Sequence, residues 1–407
     1  MSKKNIMVLR SDNSGVGFFR SLQPHINLEK IYPDEFHVEM YAPNEINFND
    51  DNFLKRFDLI HYHRTMCEYD QMPPLIDKLK KLGIKMIMDL DDFFFPHKLH
   101  PAFHMIQQSG LGKKILNNVQ SAQFITTTTP VFADLIKKYN KNVFVLPNTI
   151  DPTMDQFIPK KIEREKIAVG YLAGSSHLVD LEEIQGLFQR LRVDNNLKNK
   201  FQVILCGFDL RGSHTNVNTQ TGKQETRPIL PKETSWYLYE KLFTDDYRMI
   251  EDKKYLDFLM KFKREDYPNE ENMTYRRVWT KLLKKYAENY NLMDLSLAPL
   301  SYKGGEFNIS KSQLKLIEGA FHKKAVICTS YAPKIGPYDI DGVHEKNCIL
   351  IPEKKNHKNW FKYTKKLIES KNMREDMGNQ LYEDFHIKYS INEDSKNRRE
   401  LYLNLLN

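Results

Sequence analysis

The sequence predicts an α/β protein made of two parallel-sheet domains that face each other across a cleft, with a helical insert in the second. The 407 residues are more than one ordinary core holds. Short β-rich runs alternate with helical patterns, which is typical of parallel sheets covered by helices. The alternation stops before a polar stretch at residues 159–165 and starts again at Ile167, as expected at a domain boundary.

We assign residues 1–155 to the first domain, which ends where Pro147 and Pro152 interrupt regular structure. Helical patterns at residues 74–82 and 131–139 lie between its strands. The predicted strands are Asn5–Arg10, Phe36–Ala42, Asp58–His63, Ile84–Leu90, Gln123–Thr127 and Val143–Leu146.

Residues 156–385 form the predicted second domain, and residues 386–407 a helix that we expect to pack back on the first domain. A helix is predicted at Val179–Leu191, and terminal helices at His357–Ser370, Met373–Lys388 and Glu393–Leu406. The predicted strands are Ile167–Leu172, Phe201–Cys206, Met293–Ala298, Ala325–Thr329 and Cys348–Ile351.

The insert at residues 210–290 interrupts the alternation. Its polar first part, Leu210–Pro228, predicts a loop, and Thr234–Thr244 and Thr274–Tyr290 predict helices. Aromatic residues concentrate here, and residues 279, 282, 283 and 286 follow helical spacing. Such a stripe is either core or a platform on which sugars or bases stack.

Composition limits the possible classes of protein. A net charge of +8 indicates either a solvated surface or an anionic partner such as a membrane surface, an acidic glycan or nucleic acid. The four cysteines have no metal-binding spacing, so we expect buried thiols in a reducing cytoplasm and no metal site. The short apolar run at the N-terminus predicts a strand, not a secretory signal, and no stretch reaches transmembrane length.

The most informative segment follows Gly304-Gly305 and runs from Phe307 to Ala320. Ser310 and Gln313 have the form of a capping box, so we predict a helix that begins there. Lys311, Lys315 and Glu318 would then share one face of this helix. A helix N-terminus with two lysines suits a pyrophosphate, and the carboxylate suits ribose hydroxyls. The alternative is a solvated surface stripe.

The run Phe307–Ser330 resembles the donor-site signature of GT-B glycosyltransferases of the family 4 kind, whose two domains are Rossmann-like. The resemblance implies that Glu318 binds the nucleotide ribose, that Lys311 and nearby backbone hold the diphosphate, and that the reaction is retaining and metal-independent. Many relatives carry a further glutamate where this chain has Ser310, which leaves the sugar contacts open. The variant, similar to one found in bacterial surface-glycan and phage proteins, is marked by Asn308, Lys311, Ser312 and Lys315.

Two further turns point to the same ligand. After strand Ile167–Leu172 come the small residues Gly174, Ser175 and Ser176, which let backbone N–H groups approach phosphate. His177 could bond phosphate or sugar, or it could pack at the start of a helix. The first domain has a comparable turn after its first strand. The resemblance places Gly17 and Arg20 near donor phosphate or acceptor; the alternative is a tight turn with a surface arginine.

Carboxylates end the fourth predicted strand, where Asp89, Asp91 and Asp92 occur together. They suit acid/base catalysis or sugar-hydroxyl contacts, or alternatively a divalent ion. His61, His63 and Arg64 end the neighbouring strand and should line the same cleft. We take Asp91, Asp92 and His63 as the catalytic candidates.

These observations predict a glycosyltransferase whose substrate is a nucleotide sugar and which needs no further cofactor. A glycan is the expected acceptor, and peripheral contact with a membrane is compatible with the charge. One alternative is a phage-type enzyme that glycosylates hydroxymethylated DNA bases. An alternative of another class is an inactive glycan-binding module.

Overall fold

The computed structural model describes residues 2–12, 15–209, 213–217, 224–230, 233–243, 273–354 and 356–407. Its framework is two six-stranded sheets in which all neighbouring strands run parallel. The predicted α/β fold with two parallel-sheet domains is therefore confirmed. None of the described helices is long and apolar enough to span a membrane.

The first sheet has the strand order β2-β1-β3-β4-β5-β6. Its strands are β1 Lys4–Leu9, β2 Phe36–Tyr41, β3 Leu59–His63, β4 Lys85–Leu90, β5 Phe124–Thr127 and β6 Val143–Val145. A π-helical turn, Gly17–Leu22, leads into the first helix. The helices are α1 Gln23–Ile31, α2 Asp51–Leu54, α3 Met72–Lys81, α4 Phe103–Gln108, α5 Leu111–Ser121 and α6 Pro130–Lys137.

The second sheet has the order β11-β8-β7-β12-β13-β14. Its strands are β7 Ile167–Leu172, β8 Phe201–Phe208, β11 Tyr275–Trp279, β12 Leu295–Ala298, β13 Ala325–Thr329 and β14 Ile349–Ile351. The helices of this half of the chain are α7 Leu187–Val193, α8 Ser235–Phe243, α9 Gly305–Ile309, α10 Leu314–Phe321, α11 Asn356–Glu369, α12 Lys371–Phe385 and α13 Ile391–Leu406.

All of the strands predicted from sequence are present, and their ends differ from the predictions by at most two residues. Several of them, such as β7 and β13, are runs of buried apolar residues, and burial on both faces explains why these segments are almost continuously hydrophobic in the sequence. The predicted helix Val179–Leu191 is wrong in detail. Gly186, with φ of +75°, separates a 3-10 segment at Val179–Ile184 from α7.

The insert differs most from the prediction. Tyr275–Trp279 is not helical but forms β11, the edge strand beside β8. The aromatic spacing was misleading because Trp279 is buried by the sheet whereas Leu282 lies in an exposed turn, so the stripe belongs to no single helix. Within the predicted loop, residues 213–217 and 224–228 form an antiparallel pair, β9 and β10; the rest of that loop lies outside the described residues.

Most of the described aromatic residues of the insert are core. Trp236, Tyr239 and Trp279 are buried in the hydrophobic cluster of the second sheet, which removes them as a platform for an acceptor. Tyr286 instead lines the cleft, at the start of a 3-10 segment at Tyr286–Leu292, while Tyr290 of the same segment is fully buried.

The last helix crosses to the first sheet. Tyr402 on α13 bonds His25 on α1, with its hydroxyl 2.7 Å from His25 Nε2, and Arg399 pairs with Glu35 at 2.8 Å. Asn27 donates to Ser395 Oγ at 2.9 Å. These contacts attach the end of the chain to the first helix. The domain limits at 155 and 385 stay predictions.

Candidate functional site

A cleft of about 670 Å³ lies between the two sheets, lined by residues from the loops that follow their strands. Open α/β sheets bind ligands at this edge. Of the residues singled out in the sequence, those that line the cleft are Arg20, Asp91, Asp92, Gly174, His177, Lys311, Ser312, Lys315 and Glu318. The others, which do not line it, are Gly17, His61, His63, Arg64, Asp89, Ser175, Ser176 and Asn308. The expectation that His61 lines the cleft is wrong, because its ring is fully buried and packs against His25.

Arg20 is held by the first domain in a buried ion pair. Its Nε and Nη2 donate to the two oxygens of Asp89 at 3.0 and 2.6 Å, and its Nη1 donates to Leu146 O and Asn148 Oδ1. Burial would raise the pKa of Asp89, but Arg20 outweighs it and lowers this pKa to about 2. Arg20 is therefore no surface residue, and its position is fixed before any ligand binds.

Gly17 makes the turn that presents Arg20. A Cβ at this residue would lie 2.0 Å from the carbonyl oxygen of Asp12, so only glycine fits. The Gly17 N–H donates to Asp12 Oδ1 at 3.2 Å, which closes the turn. Gly17 thus acts through the backbone and lies outside the lining of the cleft.

Asp91 is fixed by two side chains of the neighbouring strand end. His63 Nε2 lies 2.8 Å from Asp91 Oδ1, and Arg64 Nη2 donates to the same oxygen at 2.9 Å. Burial would raise the pKa of Asp91, but His63 and Arg64 together hold it well below its usual range. Asp91 therefore stays ionised, and the Nε2 atom of His63 is occupied by the contact with Asp91.

The side chain of Asp92, the next residue, is more exposed to solvent than that of Asp91. It is 39% exposed and lies 3.9 Å from Lys311 Nζ, across the cleft. Lys311 in turn sits over the ring of Phe307, with Nζ 4.6 Å from the ring centroid. Asp92 and Lys311 are thus opposite charges on facing walls.

The helix of the donor motif starts later than predicted. Ser310 and Gln313 form no capping box: Ser310 Oγ donates to Phe307 O, and Gln313 donates to Asp341 and Tyr389. Helix α9 ends at Ile309 and α10 begins only at Leu314, because the side chains of Ser310 and Gln313 bond residues outside α10 and so do not cap a helix at Ser310. Lys311 therefore precedes the helix, although it still lines the cleft with Lys315.

Glu318 is fully buried at the floor of the cleft. The hydroxyls of Tyr286 and Tyr290 both donate to it, the second at 2.9 Å, and Lys315 Nζ lies 3.5 Å away. Burial, and next the charge of Glu318, raise the pKa of both tyrosines well above the usual value. These hydroxyls therefore remain donors at all ordinary pH values.

Asp180 organises the wall of the cleft that the second domain forms, called here the second wall; the wall formed by the first domain is the first wall. It accepts hydrogen bonds from the Ser301 N–H at 2.7 Å and from Asn308 Nδ2 at 2.9 Å, and His177 Nδ1 lies 2.7 Å from it. Gly304 leaves room for Asn308, since a Cβ there would lie 2.2 Å from the amide carbon. Asn308 thus positions the motif and does not line the cleft.

Other cleft residues carried no signal in the sequence. Asn148 donates to Ser312 Oγ at 3.1 Å and so joins the two walls. Asn289 lines the cleft with only 1% of its surface exposed, and neither amide atom has a partner among the described residues. His97 and His100, in the loop after β4, contact Phe307. Among the described residues, no histidine, cysteine or carboxylate cluster suits a metal ion.

Comparison with known proteins gives structural relatives only. No protein-family model matches the chain, and no curated protein matches it in sequence. Sucrose-phosphate synthase from Thermosynechococcus elongatus superposes with a TM-score of 0.58 and 12% identity, over 99% of each chain. HepE from Anabaena, solved with UDP, gives 0.57 and 10% over 99% of this chain and 100% of that one.

A third solved structure has the same architecture. The trehalose-6-phosphate protein from E. coli, bound with UDP-2-fluoro glucose, gives a TM-score of 0.57 and 10% identity over 99% of each chain. Identities this low establish the fold and nothing finer. The fold of this chain, two parallel sheets with a cleft between their carboxyl edges, is GT-B.

Proposed function

We propose that this chain is a glycosyltransferase that moves a sugar from a nucleoside-diphosphate sugar to an acceptor hydroxyl. The observation that carries the proposal is the pair Lys311 and Lys315 at the entry to α10, facing the cleft above buried Glu318. Two ammonium groups at the start of a helix match a diphosphate, and a carboxylate beyond them matches ribose hydroxyls.

In this proposal the second wall binds the donor. Lys311 and Lys315 neutralise the diphosphate as the bond from the sugar C1 to its leaving oxygen breaks, and such fixed charges supply several kcal/mol of transition-state stabilisation. The turn at Gly174 leaves the space beside it open, since nothing lies within 4 Å of a Cβ built there. We propose no further cofactor, because these lysines supply the positive charge that the leaving group requires.

The first wall presents the acceptor. The acceptor oxygen bonds to C1, and its proton passes to a base or to the departing diphosphate. Of the three catalytic candidates, Asp92 is the exposed carboxylate, whereas Asp91 and His63 are bonded to each other. We therefore assign Asp92 to the acceptor hydroxyl, and Asp91 with His63 to holding this strand end in place.

The test is turnover of nucleotide sugars. UDP-glucose is the first donor to try, since UDP and UDP sugars occupy two of the structural relatives. Lys311→Ala should reduce donor hydrolysis by about a hundredfold, consistent with loss of one electrostatic group at a leaving site. Lys334→Ala, which removes an exposed lysine outside the cleft, is the matched control. Equal turnover in both variants would refute the assignment.

Stereochemistry and acceptor need separate experiments. Retention of configuration rests on the family resemblance, and NMR of the anomeric proton in the first-formed product tests it. A glycan acceptor, a DNA acceptor and a non-catalytic glycan-binding role remain predictions. Stabilisation by a nucleotide sugar without any turnover would favour the non-catalytic role.

A further inference from the structure

Three nitrogen-bearing side chains from both walls contact Phe307 beside the cleft, and a fourth, His177, lies close enough to His100 to lower its pKa. The rings of His97 and His100, from the first domain, meet Phe307 edge-on at centroid distances of 5.9 and 5.0 Å. Lys311, from the second domain, lies over the same ring at 4.6 Å. Phe307 itself is buried in the core of the first domain although it belongs to the donor motif. The cluster is therefore assembled across the two domains.

Each histidine of the cluster has hydrogen-bonding capacity left over. His100 Nδ1 accepts from the Ala102 N–H at 3.1 Å, which fixes the proton on Nε2. His177 Nδ1 bonds Asp180. For both rings Nε2 has no partner among the described residues, and His97 Nδ1 is buried with none either. A buried ring nitrogen without a partner is costly unless a ligand supplies one.

Lys311 brings positive charge to the cluster, and Asp92 and Asp180 partly offset it. Burial first, and then Lys311 and His97, lower the pKa of His100 to about 4, while Asp92 opposes them. Burial also lowers the pKa of His97, with Asp180 opposing and Lys311 adding to the effect. The sequence agrees, because no acidic residue occurs between Asp92 and Asp134 whereas this stretch contains three lysines and three histidines. An anion bound beside Lys311 would oppose the lowering of the pKa values of His97 and His100.

We propose that this cluster, named here the rim site and made of His97, His100, His177 and Lys311, binds a phosphate group carried by the acceptor. Imidazole N–H groups and an ammonium are the donors that phosphate oxygens require. Asp92 lies beside the rim site, at 3.9 Å from Lys311. A phosphorylated acceptor anchored there would place a neighbouring hydroxyl at that carboxylate. This inference rests on the proposed function.

The donor's own diphosphate is the competing occupant. It belongs with Lys315 and the start of α10, over Glu318, whereas His97 and His100 come from the first domain. Lys311 is common to both places, and His177 lies on the donor wall after the Gly174 turn, so His97 and His100 are the residues that distinguish the rim site. The two occupants are separable because saturation with UDP fills the donor wall and leaves a true acceptor site free.

The first experiment follows the ring protons of His97 and His100 by NMR. Orthophosphate, added to the UDP-saturated protein, is expected to raise both pKa values by about one pH unit or more, the usual effect of an adjacent opposite charge. His104→Ala removes an exposed histidine of the same segment and is the matched control. The inference is overturned if phosphate leaves the pKa values of His97 and His100 unchanged. It is also overturned if phosphate shifts them in the free protein but not in the UDP-saturated protein.

The second experiment measures acceptor selectivity. His97→Asn and His100→Gln should each lower the preference for a phosphorylated acceptor over its dephosphorylated form by about tenfold, as expected for one hydrogen bond to a charged group. A hexose 6-phosphate and dodecyl phosphate, used in parallel, distinguish a soluble from a lipid-borne phosphate ester. If neither substitution changes the preference with either phosphate ester, the inference is overturned. If no donor turns over, the proposed function fails, while the NMR experiment still reports on the rim site.

Discussion

Replacing Arg20 by methionine should leave an unpaired carboxylate in the core of the first domain. Arg20 and Asp89 are both almost fully buried and share two hydrogen bonds. Breaking such a pair from one side typically costs about 3–5 kcal/mol of unfolding free energy, because the remaining charge is neither solvated nor compensated. We expect a loss in this range at pH 7.

The pH dependence of the loss follows from the pKa of Asp89. In the native protein this pKa falls from 3.8 to about 2, because Arg20 outweighs burial. The ionised form thus contributes about 2 kcal/mol, present above pH 4 and lost as the pH falls through 2. Without Arg20, burial raises the pKa of Asp89 above its unfolded value. The variant then gains stability, relative to the native protein, as the pH falls from 7 towards 4.

Calorimetric unfolding between pH 4 and pH 7.5 measures both effects. Asp89→Asn and the double variant Arg20→Met/Asp89→Asn complete a double-mutant cycle, in which the double variant should be more stable than Arg20→Met alone. Arg20→Met that is equally destabilised at pH 4 and pH 7 would refute the reasoning, since it would mean that Asp89 is not an uncompensated charge.

Three further outcomes are expected. Phe307→Ala should lower the free energy of unfolding by about 3–4 kcal/mol and separate the two domains, because this ring is buried in the core of the opposite domain. Small-angle scattering should then show a larger radius of gyration, and an unchanged radius would contradict this contact. Asn289→Leu should raise unfolding free energy by about 1–2 kcal/mol, since it removes a buried amide with no partner among the described residues; calorimetry that shows a loss would contradict this. Glu318→Gln should weaken nucleotide binding about tenfold, measured by titration calorimetry, and equal affinity would count against a ribose contact.

The framework could be predicted from the sequence because its central strands are buried on both faces. Runs such as Ile167–Leu172 and Ala325–Thr329 are so uniformly apolar that both ends were predicted correctly. The edge strand β11 was missed because Tyr275–Trp279 contains two arginines, so that its sequence does not indicate a buried strand although four of its five residues are buried. Local spacing of the aromatic residues then favoured a helix.

The site was only partly predictable, because the partners of its side chains are distant in sequence. The motif residues Lys311 and Glu318 were identified, but the tyrosines that bond Glu318 and the start of α10 at Leu314 depend on contacts with other elements. The ion pair of Arg20 with Asp89 joins residues 69 apart. No local pattern distinguishes such an arginine from a ligand-binding one.

The arrangement of neighbouring carboxylates follows from which cations reach them. Asp89 is neutralised by Arg20, and Asp91 is bonded to both His63 and Arg64, so each is satisfied within the first domain. The ion pair that Asp92 makes among the described residues is with Lys311, across the cleft and at 3.9 Å. A diphosphate bound by Lys311 would weaken that pairing, because the lysine would then share its charge with the ligand. Donor binding would thereby release Asp92 for the acceptor, which couples the two half-sites through a single lysine.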